Sequence, residues 1–188
     1  MKLNEESKSA IKEIGNLCVA GGANRIATYS NEVVDISVVE SETESTREII
    51  LELNPYDDCK LLSSVPIQGD VSGELLVQMS DSTLQDMLLK FSKLPSIAAG
   101  NAGNDSILEL VTEFAEGFIG GMTGMTELNI TRSGNATICK DLDLSKLPEQ
   151  VLCYRSIIYV GDDRLDFNVY FFADVNVIVP KVLASLGL

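Results

Sequence analysis

Between residues 5 and 29 apolar side chains fall at Ile11, Ile14, Cys18 and Ile26 among polar ones, close to the period of an α-helix, with Gly15, Gly21 and Gly22 set among them. A long first helix is predicted there. Residues 33–39 and 48–53 show β-branched or alternating apolar character and are predicted as strands. Residues 65–79 read as two strands of a hairpin, punctuated by Gly69, Asp70 and Gly73. Ser80 or Asp81 then caps a short helix running to about Phe91.

Residues 93–104, with Pro95, Gly100, Gly103 and two asparagines, have the makeup of a linker, and after them the order returns. Residues 106–125 predict a second long helix with its own small residues, Gly117, Gly120, Gly121 and Gly124. Short strands are expected at 128–130 and 136–139 around a turn at Ser133, Gly134 and Asn135. A hairpin over 151–172 turns at Gly161, Asp162 and Asp163, and a closing helix covers about 174–186. Gly69-Asp70 matches Gly161-Asp162, and Glu13 matches Glu113 at the same depth of the long helices. The pattern therefore predicts an α+β fold with antiparallel pairing, built from duplicated helix–strands–helix halves related by a pseudo-twofold axis. The halves, about 1–92 and 105–188, are too small to cover a sheet alone, which predicts one composite domain over 1–188.

Composition narrows the chemistry. No run approaches the length of a membrane span and the N-terminus lacks the apolar stretch of a signal peptide, so a cytoplasmic protein without a membrane partner is expected. Lys and Arg number 14 against 28 Asp and Glu, a net charge of −14 that repels nucleic acid and suits a partner with a basic patch. Cys18, Cys59, Cys139 and Cys153 lack metal-ligand or disulfide spacing and read as reduced core thiols. There is no histidine, which removes Ser-His-Asp and Cys-His nucleophiles and the common zinc sites. No metal or cofactor is expected in the chain itself. Asp57-Asp58, Asp141 with Asp143, and the segment from Gly100 to Gly103 read as turns or loops rather than as metal or nucleotide sites.

What remains is carboxylates, amides and hydroxyls. Ser9, Glu13, Asn16 and Ala20 share one stripe of the first helix, with Glu13 and Asn16 three residues apart and side by side. Small and polar neighbours mark that stripe as facing solvent or a partner, while Ile14, Cys18 and Ile26 suit the core.

The run Ser-x-x-x-Glu-x-x-Asn from Ser9 to Asn16, with its Ile-Gly-Asn wording, resembles the active-site pattern of the CheC/CheX/FliY phosphatases. The duplicated long helices, the stretch Val-Pro-Ile-Gln-Gly-Asp-Val-Ser-Gly-Glu-Leu at 65–75 and the closing helix resemble the CheC-like, two-half form of that family. The resemblance implies removal of the phosphoryl group from the aspartyl phosphate of a CheY-like chemotaxis receiver. Such a substrate carries its own Mg²⁺, so what it lacks is a water held in line with phosphorus. The resemblance makes Asn16 the group that positions this water, since an amide adds no negative charge. Glu13 then clamps the partner through a lysine near its phosphorylation site, and Ser9 supports the same face.

The sequence departs from the family pattern in three places. Val39 stands where the family spacing puts a proline, and Ala20 where it tends to put glycine. The second copy reads Glu113-Phe-Ala-Glu116, with a carboxylate in place of the second asparagine. Glu116 would repel a phosphoryl group, so Glu113 and Glu116 are expected to form a degenerate, silent site. Two other readings stay open: an adaptor that docks a receiver domain, a flagellar switch protein or a CheD-like deamidase without turnover, and a structural dimerising domain that forms a homodimer.

Overall fold

The computed structural model describes residues 4–53, 60–91, 104–139, 148–161 and 163–188. Helix α1 (Glu5–Ser30) leads into strand β1 (Val34–Ser45), helix α2 (Thr46–Leu53), strands β2 (Lys60–Gly69) and β3 (Gly73–Ser80), and helix α3 (Asp81–Phe91). The second pass comprises α4 (Asn104–Met125), β4 (Ile130–Arg132), β5 (Thr137–Ile138), β6 (Gln150–Val160), β7 (Asp163–Ala173) and α5 (Val175–Ser185). Asn4 caps α1 by accepting from the Ser7 amide at 2.7 Å. At the other end Asn31 ends the helix with a left-handed φ of 55°. The expected linker lies outside the described residues except for Asn104, which begins α4; Asp57, Asp58, Cys59, Asp141, Asp143, Asp162 and the 100–103 segment also lie outside them.

All described strand pairs are antiparallel, in the order β1-β6-β7-β3-β2-β4, with β5 also against β2. If each strand is exchanged for its counterpart in the other repeat, that order reads the same backwards. The pseudo-twofold axis thus passes between β3 and β7, and the outer strand of each repeat pairs with the hairpin of the other. Both hairpins turn where expected, with Gly69 at φ 127° and Gly161 at φ 63°, conformations that favour glycine.

One sheet face carries the main core, in which Ile11, Ile14, Cys18 and Ile26 of α1 and Phe114 and Phe118 of α4 pack over Tyr154 and Phe171. The Phe118 ring lies 5.8 Å from Tyr154 and 6.0 Å from Phe171. The opposite face has a smaller core of Ile49, Leu53, Leu62, Leu76, Val151, Cys153, Tyr170 and Phe172. This corrects the reading of 48–53 as a strand. Residues Thr46–Leu53 form α2, whose Ile49 and Leu53, one turn apart, are buried while Leu51 is 76% exposed. The buried Gln78 amide fastens the end of α2 by donating to the Leu53 carbonyl at 2.9 Å. A second correction is smaller: the strand expected at 128–130 is Ile130–Arg132, placed by the pairing of Ile67 with Arg132 and Gly69 with Ile130.

Candidate functional site

The turn of α1 that carries the candidate pair is seated by a glycine. A Cβ on Gly15 would lie 2.2 Å from Cε1 of the buried Tyr154 ring, so only glycine lets this turn rest on the sheet. With Ile14, Gly15 and Cys18 turned inward, Glu13 and Ser9 are exposed and Asn16 is half-buried. Glu13, Asn16 and Ser9 have no hydrogen-bond or ion-pair partner among the described residues. Ala20, also half-buried, continues the same face.

Glycines set the second helix just as closely against the first. A Cβ on Gly21 would meet the Gly117 carbonyl oxygen at 2.2 Å, one on Gly117 would meet that of Gly21 at 2.2 Å, and one on Gly121 would meet that of Leu17 at 2.5 Å. The helices therefore run antiparallel in backbone contact, and these pairs exchange with one another under the pseudo-twofold axis.

The structure treats the two copies of the site differently. Glu113 accepts an ion pair from Arg25 of α1 at 3.1 Å, and Glu116 accepts from Nε of Arg132 on β4 at 2.6 Å. Arg132 also donates to the Gly134 carbonyl at 3.2 Å and to the Asn135 side chain at 2.8 Å. Glu116 and Arg132 border an open groove of about 480 Å³ that Ile119, Gly120 and Thr123 of α4 also line. Both carboxylates of the second copy are thus bound to arginines from other elements. The sequence points to Glu113 and Glu116 as a second site but carries no local sign of Arg25, Arg132 or the Gly15–Tyr154 seat, since each contact joins segments far apart in the chain. Only the small-residue pattern in the long helices signalled any of this.

Val39 lies at a local irregularity. Its backbone pairs with Ser156 directly after the register of β1 against β6 shifts between Ile36 and Val39. Burial pushes the thiol of Cys18 far above its ordinary range, so it stays protonated and unreactive in the fold. Cys18, Cys139 and Cys153 form no disulfide among the described residues, and the first and third are buried. Among the described residues no three His, Cys, Asp or Glu side chains gather as a metal site, and no helix is long and apolar enough to cross a membrane.

Against solved structures, FliY of Thermotoga maritima superposes with a TM-score of 0.75 at 13% identity, over 100% of this chain and 98% of that one. The chain has the CheC/CheX/FliY fold. The middle domain of H. pylori FliM matches with a TM-score of 0.64 at 12% identity, over 97% of this chain and 99% of that one. CheX of Desulfovibrio desulfuricans matches at 0.53 and 12% identity, over 86% of this chain and 99% of that one. No family model matches the sequence. Proteins that share this fold include a chemotaxis protein, this CheX, and at these identities the likeness concerns the fold alone.

Proposed function

We propose that the chain dephosphorylates the aspartyl phosphate of a CheY-like chemotaxis receiver, with Asn16 positioning the attacking water and Glu13 docking the partner. The observation that carries this reading is the Glu13–Asn16 pair, without a partner among the described residues, while both carboxylates of the second copy are held in ion pairs by arginines. The Asn16 amide can accept a hydrogen bond from a water and donate to a phosphoryl oxygen while adding no charge that opposes approach. Glu13, one turn away and exposed, offers a carboxylate to a cationic group beside the partner's phosphorylation site. The Mg²⁺ of such a reaction belongs to the receiver and polarises the phosphoryl oxygens there. The chain's own part is to exclude wrong geometries, since Gly15 on Tyr154 fixes how far Asn16 stands from the sheet.

A second reading, an adaptor without turnover, draws on the loss of the second asparagine to Glu116 and on neighbours such as H. pylori FliM, solved in complex with FliG. On that reading this chain binds a receiver, a switch component or a CheD-like protein. One experiment separates the two. The protein is mixed with a phosphorylated receiver domain and loss of the phosphoryl group is followed against spontaneous hydrolysis. Acceleration that depends on Asn16 supports the enzyme, whereas binding without acceleration supports the adaptor.

A further inference from the structure

The contact between the long helices says which residue faces Glu13. Gly121 lies against Leu17, Gly117 against Gly21, and Glu113 against Arg25, so four residues forward on α1 are four residues back on α4. One step further in the other direction sets Met125, the last residue of α4, opposite Glu13. The duplication gives the same answer, because the axis that carries Glu13 onto Glu113 carries Arg25 onto Met125. Where the second copy has a carboxylate gripped by an arginine, the first has at the position matching that arginine a methionine, which is 48% exposed. The other arginine is missing too. Arg132 lies opposite Ile67 on the helix-facing side of β2, and the helix-facing positions at the corresponding end of β1, opposite Val160 and Ile158, hold Val34 and Ile36.

We infer that Met125 is a positioning residue of the Glu13 site, leaving that carboxylate unpaired and offering the docking receiver an apolar contact beside it. A thioether cannot neutralise a carboxylate, so Glu13 keeps its charge for the partner's cation, while the flexible methionine adapts to whatever apolar surface borders that cation. Arg25 supplies the opposite arrangement within the same molecule, a carboxylate already spent on an internal partner. The inference rests on the receiver-docking role of Glu13 proposed above and adds the residue that keeps that role available.

The test is Met125→Arg, which should rebuild at the first site the ion pair present at the second. Hydrolysis is measured across receiver concentrations for the parent, Met125→Arg, Met125→Leu, Glu13→Ala and the double variant Met125→Arg/Glu13→Ala. Met125→Arg should raise KM about tenfold with kcat within about threefold, since Asn16 is untouched. Met125→Leu should stay within about threefold of the parent. In the Glu13→Ala background the arginine should add less than about a threefold change, because its target is gone. An unchanged KM in Met125→Arg, or the same tenfold rise without Glu13, overturns the inference. If the parent proves inactive, the hydrolysis reading falls on its own, and the same variants are titrated for binding to the phosphorylated receiver. There, weaker binding of Met125→Arg that disappears in the Glu13→Ala background supports the inference, and equal affinity overturns it.

Discussion

Gly21 and Gly117 meet backbone to backbone, each placed so that a Cβ would lie 2.2 Å from the other's carbonyl oxygen. A carbonyl cannot step aside as a flexible side chain can, so Gly21→Ala must spread α1 from α4. The expected loss is about 1–3 kcal/mol, read from chemical denaturation. Gly120 provides the contrast, with nothing within 4 Å of the Cβ it lacks. Gly120→Ala should stabilise by about 0.5–1 kcal/mol through helix propensity. Equal effects at the two positions would contradict the packing described.

Asn16→Ala removes the amide and leaves Glu13 and the docking face in place. Hydrolysis of the receiver phosphate should slow about 10²-fold at saturating receiver, with little change in KM, as expected when an interaction is made chiefly in the transition state. A parental rate in this variant would remove the water-positioning mechanism.

Glu13→Ala should act differently, because its carboxylate is proposed to hold the partner. Raising the receiver concentration should recover a larger part of its activity than of the activity of Asn16→Ala. High ionic strength should weaken the parent and leave Glu13→Ala less affected, since a rim charge acts through screened electrostatics.

Glu116→Ala should leave most turnover intact. Its ion pair with Arg132 is about half exposed, with side-chain exposures of 46% and 31%, so the stability change should fall within about 0–1 kcal/mol. A large loss of activity would mean that the second copy takes part in the reaction.

The two hairpins and the long helices were legible because each has a local signal: glycine at a turn that needs positive φ, and apolar residues at helical spacing over many turns. Helix α2 was not, since Ile49 and Leu53 are the period of a helix while the run around them is equally apolar at strand spacing. What decides it is the second core beneath the sheet, to which Leu62, Leu76 and Tyr170 contribute from other strands. At the site, Glu13 and Asn16 stood out as neighbours within one helix. Their difference from Glu113 and Glu116 is made by Arg25 and Arg132, which reach those carboxylates only in the folded chain.

Cys18 and Tyr154 give the fold an alkaline limit. Burial raises the Cys18 thiol, and burial first, then charge on Cys18 and Cys153, raises the Tyr154 hydroxyl. In the unfolded chain these groups ionise near pH 8.5 and 10, so there the unfolded state binds fewer protons than the native one. Their contribution to stability is complete below those values and is lost as pH climbs from about 8.5 toward the higher folded values. Denaturation midpoints should therefore fall between pH 8 and 11, and Cys18 should resist thiol alkylation at pH 8 until the protein unfolds.

The exchange of outer strands between repeats also sets an order of events in time. Val34 pairs with Val160, a contact that cannot form until almost the entire chain has emerged, whereas each central hairpin closes over a few residues at Gly69 and Gly161. Loop closure over so long a separation is entropically costly and characteristic of slow folding. Strand β1 should therefore wait, after synthesis, without its partner strand, and in the finished sheet, where it ends the order of the described strands, only the edge that faces β6 is paired.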